Sequence, residues 1–319
     1  MKASPAVRFG AMLPTIGASG ILSPEELLRY VATGNEAGLD SFWAGDHLNW
    51  HTPVLECLTT LGFVAGHTRA VLGTNVLIGA LRHPVIIARV SGTLSHLTGG
   101  QFRLGLGVGG EHPKEFEAVG VPLYERGRRT DEIIDVLRRL WKEPQVSHRG
   151  RFYDIPSAQL EPRPGTHGIP IYVGGRSEAA LGRVVTRGDG WTAAWLLPEQ
   201  YCRTKAKLHD LARRHGRCPG SVETIVHTYV HLHPDEETGR SEGGRFLARF
   251  YNADPAPFER HCVAGPPDIV AARLVEYLDV GVNELLVYFA GARPIEQLTI
   301  YAEEVLPVLR GHLAGRVIR

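Results

Sequence analysis

Short apolar, β-branched runs alternate along this chain with longer stretches whose apolar residues recur at three- and four-residue spacing, the pattern of strands each followed by an amphipathic helix. Val7 to Leu13 reads as a first strand. Ser23-Pro24-Glu25-Glu26 then supplies an N-cap, a proline at the first helical position and a capping-box carboxylate, and the helix it opens runs to about Ala37, where Gly38 stops it. Asp40 to Ala44 is the second strand, Thr52-Pro53 opens a second helix, and Val71 to Ile78 is the third strand. His83-Pro84 starts the next helix, Arg103 to Gly109 forms the fourth strand, and Glu125 to Trp141 is a helix with Ile133, Ile134, Leu137 and Trp141 on one face. Val146 to Leu160 breaks the rhythm as a small hairpin. Strands then recur at Ile169 to Val173, Gly190 to Ala194, Thr224 to Leu232 and Glu284 to Phe289, with helical segments beginning near Ser177, Pro198, Arg240, Pro267 and Pro294.

Eight such units imply a parallel sheet with right-handed crossovers, and in a chain of this length they fit a closed α/β (β/α)8 TIM barrel better than an open doubly wound sheet. No linker or low-complexity tract interrupts the series, so residues 1–319 are expected to form one domain, with short insertions after the fourth and seventh strands.

Composition narrows the function classes. With 43% hydrophobic residues, 22% charged residues and a formal net charge of +1, the chain has ample core material and no basic excess for nucleic acid. Met1 to Gly10 carries no leader pattern and no apolar run reaches membrane-spanning length, so a cytoplasmic protein is expected. Cys57, Cys202, Cys218 and Cys262 are scattered and read as reduced thiols.

Barrel chemistry sits at the C-terminal strand ends. The second strand ends in Asp46-His47-Leu48-Asn49-Trp50-His51, where His47 offers an imidazole for proton transfer, Asp46 a cap and Trp50 a pocket wall. Asn75 is a polar residue inside an apolar strand, and its amide needs partners, either backbone groups of a bulge or atoms of a ligand. In the fourth strand Gly105, Gly107 and Gly109 recur with period two, clearing one face for a flat ligand. Glu111 follows as a candidate acid, whereas Glu115 and Glu117 read as helix-start carboxylates favoured by the dipole. Gly174-Gly175-Arg176-Ser177 is a glycine turn opening a helix, a place for an anion as well as a plain N-cap. His227, Tyr229, His231 and His233 share one strand face, more in keeping with a polar patch than with a metal site. Neither a hydrolase elbow nor a Walker loop is present.

Taken together, Asp46-His47, Leu72-Gly73-Thr74-Asn75-Val76 followed by Arg82-His83-Pro84, Leu106-Gly107-Val108-Gly109, Tyr172-Val173-Gly174-Gly175-Arg176-Ser177 and Gly188-Asp189-Gly190-Trp191 resemble the bacterial-luciferase-like superfamily. The likeness covers nearly the whole chain. It implies a barrel, usually dimeric, that uses either the deazaflavin coenzyme F420 for hydride transfer or reduced FMN for monooxygenation, the latter fed by a separate flavin reductase. It further implies a non-prolyl cis peptide between Asn75 and Val76 beneath the ring. By the same resemblance His47 and Glu111 are catalytic, and Asp46, Asn75, Val76, Gly107, Gly109, Gly174, Gly175, Arg176 and Ser177 hold the cofactor. The deazaflavin branch is the first choice, acting on a small organic substrate that the sequence does not identify.

Overall fold

A computed structural model describes residues 7–165 and 168–317 of the chain. The leader reading therefore falls partly on residues 1–6, outside the described residues. Eight strands form the barrel wall: β1 (Arg8–Met12), β2 (Ser41–Ala44), β3 (Val71–Thr74), β4 (Phe102–Gly107), β5 (Ile171–Gly174), β6 (Gly190–Ala194), β7 (Glu223–Leu232) and β8 (Glu284–Phe289). Neighbours pair in parallel, and the ring closes where β8 sets Glu284 beside Arg8 of β1. The barrel expected from the alternation is the fold observed.

The outer face of the wall is sealed by helices. Leu104 and Leu106 of β4 are fully buried, and the helix Arg126–Lys142 packs Ile133, Ile134, Val136, Leu137 and Leu140 into the same core. Ser23 caps the first helix as its sequence predicts, accepting from the Glu26 amide at 3.2 Å while the Glu26 carboxylate accepts from the Ser23 amide at 2.8 Å. The second helix differs from expectation. It spans Cys57–Val64, not a stretch beginning at Thr52-Pro53, because Glu56 takes the N-cap role and bonds the Thr59 amide at 2.7 Å.

Between β4 and β5 lies the hairpin Val146–Arg149 with Asp154–Ala158. Between β7 and β8 the chain forms the helix Glu236–Tyr251 and a further parallel strand, Cys262–Gly265, outside the ring against β7. No helix among the described residues is long and apolar enough to cross a membrane.

A charged layer plugs the N-terminal end. Glu284, fully buried, accepts from Ser41 Oγ at 2.5 Å, Trp43 Nε1 at 2.7 Å and Arg8 Nε at 3.0 Å. Glu223 accepts from Arg8 at 2.6 Å and from the Tyr172 hydroxyl. A buried carboxylate is tolerable only with such a full set of donors, so the barrel floor is tied together rather than merely filled.

One irregularity shapes the other end. Leu72 of β3 pairs with Phe102, an offset of 30 residues, whereas Leu77 beyond it pairs with Leu106, an offset of 29, so the chain carries one extra residue between them. That bulge contains the cis peptide Asn75-Val76. The face that Gly105 and Gly107 clear is consequently not bare, a correction to the sequence reading. A Cβ on Gly105 would lie 2.0 Å from the Thr74 carbonyl oxygen, and one on Gly107 would lie 2.3 Å from Val76 Cγ2. The glycines admit the bulge, and the ligand-facing surface is Val76 itself.

Because the atom facing Gly105 is backbone, Gly105→Ala cannot be absorbed by a rotamer change and is expected to cost at least about 1–3 kcal/mol. Gly182→Ala, in mid-helix with open space around it, should instead stabilise by about 0.5–1 kcal/mol. Urea midpoints of the two variants check both signs.

Candidate active site

The C-terminal mouth of the barrel holds a cavity of about 320 Å³. Its wall divides into two unlike halves. One, from β3, β4 and β5, is nearly free of side chains and contains Asn75, Val76, Gly107, Gly109, Gly174 and Gly175. The other, from β7, β8 and the loops beside them, is aromatic and includes Trp195, Tyr229, Phe250, Tyr251 and Tyr288.

His47 lies at the edge where the halves meet, buried and stacked on Trp50 with ring centroids 3.5 Å apart. Its Nδ1 sits 3.1 Å from Glu115 Oε2, while the other oxygen of that carboxylate accepts from the amides of Leu48 at 2.6 Å and Asn49 at 3.3 Å. Glu115 stands in the first turn of the helix Pro113–Ala118, as the sequence reading has it, but it is also fully buried and anchors His47. Burial pushes its carboxyl up, but the bonds from His47 and the two amides outweigh that and hold it below the ordinary value. Glu117 is exposed but lies past the first turn of the helix Pro113–Ala118, which corrects its reading as a helix-start carboxylate.

Asp46 also borders the cavity, yet its carboxylate is committed elsewhere. It receives both terminal nitrogens of Arg82 at 2.7 and 2.8 Å and the Ile78 amide at 2.9 Å. The bidentate pair ties the end of β2 to the segment beyond the bulge. With Glu56 and Cys57, Asp46 makes the one metal-type cluster found among the described residues, and Arg82 occupies the cation's place there.

Asn75, whose partners the sequence left open, accepts from Thr192 Oγ1 at 2.7 Å across to β6. The Gly174-Gly175 turn leads into the helix Glu178–Arg187, with Gly175 at a φ of +118° and Ser177 as N-cap, accepting from Ala180 at 3.2 Å. Arg176 borders the cavity and donates to the Trp195 carbonyl at 2.9 Å. Ser177 stands just outside the cavity wall. Glu111 is exposed at its rim.

Of the β7 face, His227 and Tyr229 reach the cavity, His231 pairs with Glu242 at 3.3 Å outside it, and His233 turns to the following loop. Sequence reasoning missed Glu115, Thr192 and Thr15. Glu115 and Thr192 are recognisable only from what they meet in the fold, and Thr15 only from a buried hydroxyl left without a partner.

The luciferase-like monooxygenase family model matches residues 7–257. An F420-dependent glucose-6-phosphate dehydrogenase of Microbacterium testaceum is 31% identical, with 91% of this chain and 95% of that protein covered. An F420-dependent secondary alcohol dehydrogenase, solved with an F420-acetone adduct, superposes with a TM-score of 0.81 over 95% of this chain and 99% of that one, at 19% identity. A monooxygenase from Streptomyces bottropensis superposes at 0.80 and 23% identity over 94% of this chain and 99% of that one. The last two likenesses speak to the fold alone. With its family model spanning most of the chain, this protein belongs to the luciferase-like monooxygenase family of oxidoreductases.

Proposed function

We propose that this protein is a deazaflavin-dependent oxidoreductase that moves a hydride between coenzyme F420 and a small organic substrate at the barrel mouth. The observation that carries the reading is the pairing of a flat, glycine-bordered surface around Val76 with an imidazole held at its edge by a buried carboxylate. The F420-dependent dehydrogenase relative, alike over nearly its whole length, supports the choice of cofactor.

The residues present fit such a group. Val76, Gly107 and Gly174 offer a side-chain-poor surface on which a planar ring can lie, with Ile78 beside it at Gly109. The first-turn amides of the helix Glu178–Arg187 that Ser177 does not cap, together with Arg176, suit a phosphate-bearing tail. When bound, the deazaflavin supplies a two-electron hydride acceptor or donor at carbon five.

The protein's own part is the proton. With Nδ1 directed to Glu115, His47 keeps Nε2 for the cavity, and the ionised carboxylate steadies the imidazolium that forms when Nε2 takes a proton. In the oxidative direction His47 would take the proton that the substrate gives up, while a bound deazaflavin would be the hydride acceptor. Glu111, exposed at the rim, is the second acid we assign to proton exchange with water.

His47→Ala should lower kcat by about 10²-fold or more while F420 affinity stays within about threefold. Glu115→Gln, which keeps the side-chain shape and removes the charge, should lower kcat by about tenfold and alter the pH profile of kcat. Steady-state kinetics with fluorescence titration of the cofactor separates these effects; unchanged turnover in His47→Ala would remove it from the mechanism. Titration with F420 and with reduced FMN tests the cofactor, and preference for FMN would make the protein an oxygen-using enzyme instead.

A further inference from the structure

The aromatic half of the cavity carries chemistry of its own. Trp195 packs on Tyr229 with centroids 4.6 Å apart and on Tyr251 at 5.2 Å, and Phe250 meets Tyr251 at 4.7 Å. Their polar ends are mostly spent within the protein. Tyr229 and Tyr251 bond one another at 2.6 Å, Tyr288 donates to the Ile16 carbonyl at 3.3 Å, and Trp50 donates to the Phe250 carbonyl at 2.9 Å. What they turn to the cavity is therefore mainly apolar ring surface.

Two residues of the wall differ. Thr15 Oγ1 and His227 Nε2 are both buried and have no hydrogen-bond partner, although a buried polar atom without one costs about 1–3 kcal/mol. They come from β7 and from the loop after β1, on the aromatic side. Burial holds the His227 imidazole down at about 4, so at neutral pH it is uncharged and can donate or accept one bond.

Charge points the same way. Arg176 is the only Lys or Arg among the described residues lining the cavity, and it lies at the glycine turn after β5. On the aromatic side the acidic group is Glu111, whose carboxyl, after burial, is among the causes that push the Tyr229 and Tyr251 phenols up. A phosphomonoester placed there would meet that carboxylate, and the one guanidinium lining the cavity, Arg176, is bonded to the Trp195 carbonyl and assigned above to the cofactor's phosphate. A sugar ring would bring more hydroxyls than two orphan groups can satisfy.

Resting on the deazaflavin reading above, we infer that the aromatic half is a substrate site for an uncharged alcohol or ketone with an apolar cyclic body, hydrogen-bonded by Thr15 and His227, and not for a phosphorylated sugar. The site thus departs from the substrate in the name of the Microbacterium testaceum relative.

The test uses the full-length protein, with and without F420, and saturation-transfer NMR with cyclohexanol as probe and glucose 6-phosphate as competitor. Cyclohexanol should bind and resist displacement by the sugar phosphate. His227→Ala should weaken cyclohexanol about tenfold, the equivalent of one lost buried hydrogen bond, with F420 affinity unchanged. Thr15→Val, nearly isosteric, gives a second variant whose fold circular dichroism can verify. Displacement by glucose 6-phosphate, absence of cyclohexanol binding to folded protein, or loss of F420 affinity in place of cyclohexanol affinity would each overturn the inference. Cyclohexanol binding without any F420 binding would instead sink the cofactor reading and leave the substrate class standing.

Discussion

The close approach of Val76 to the glycines of β4 and β5 is the contact on which the mouth of this barrel depends. A bulge in β3 brings the Thr74 carbonyl and the Val76 side chain into space that any Cβ at Gly105 or Gly107 would fill. Interiors are too closely packed to absorb such an overlap by small shifts, so strand, bulge and glycines form one unit. Thr192 fixes it from β6 through Asn75, and Asp46 fixes it from β2 through Arg82 and the Ile78 amide. The floor of the site is thereby held from both sides before any ligand arrives.

Buried charge does the complementary work at the rim and at the base. Glu115 has no exposed surface, and three donors converge on it, one of them His47. Buried carboxylates held in this way add little net stability against an apolar replacement, because desolvation offsets attraction, but removing one of their partners leaves a buried charge short of a bond. Their value here is positional. The imidazole is set in orientation, much as Glu284 sets Arg8, Ser41 and Trp43 at the opposite end. The preorganised group is then at hand for a proton without reorganising at the moment of transfer.

Local signals made the barrel legible in the sequence: β-branched runs for the strands, Ser23-Pro24-Glu25-Glu26 for the first helix, and the polar interruption at Val146 to Leu160 for the hairpin. The motifs after β2, β3, β4 and β5 marked which strand ends converge on one cavity. What failed was whatever depends on partners far apart in the chain. Glu115 looks like any carboxylate in a first helical turn until Leu48 and Asn49 are brought against it. The period-two glycines announced empty space, and only the fold reveals that Val76 fills it. The second helix began late because Glu56 outcompeted Thr52-Pro53 as a cap, and the extra strand Cys262–Gly265 is too short to declare itself. His227 was marked by its polar strand face, but that it and Thr15 are left without partners appears only in the fold.

The account stands on the division of the cavity into a cofactor half and a substrate half. A crystal structure of the protein with F420 tests that division most directly. The deazaflavin ring is expected against Val76 with its phosphate at Gly175, Arg176 and Ser177, leaving the surface of Trp195, Tyr229 and Tyr251 uncovered. A ring seated instead on those aromatic side chains, with His227 and Thr15 bonded to it, would contradict the account.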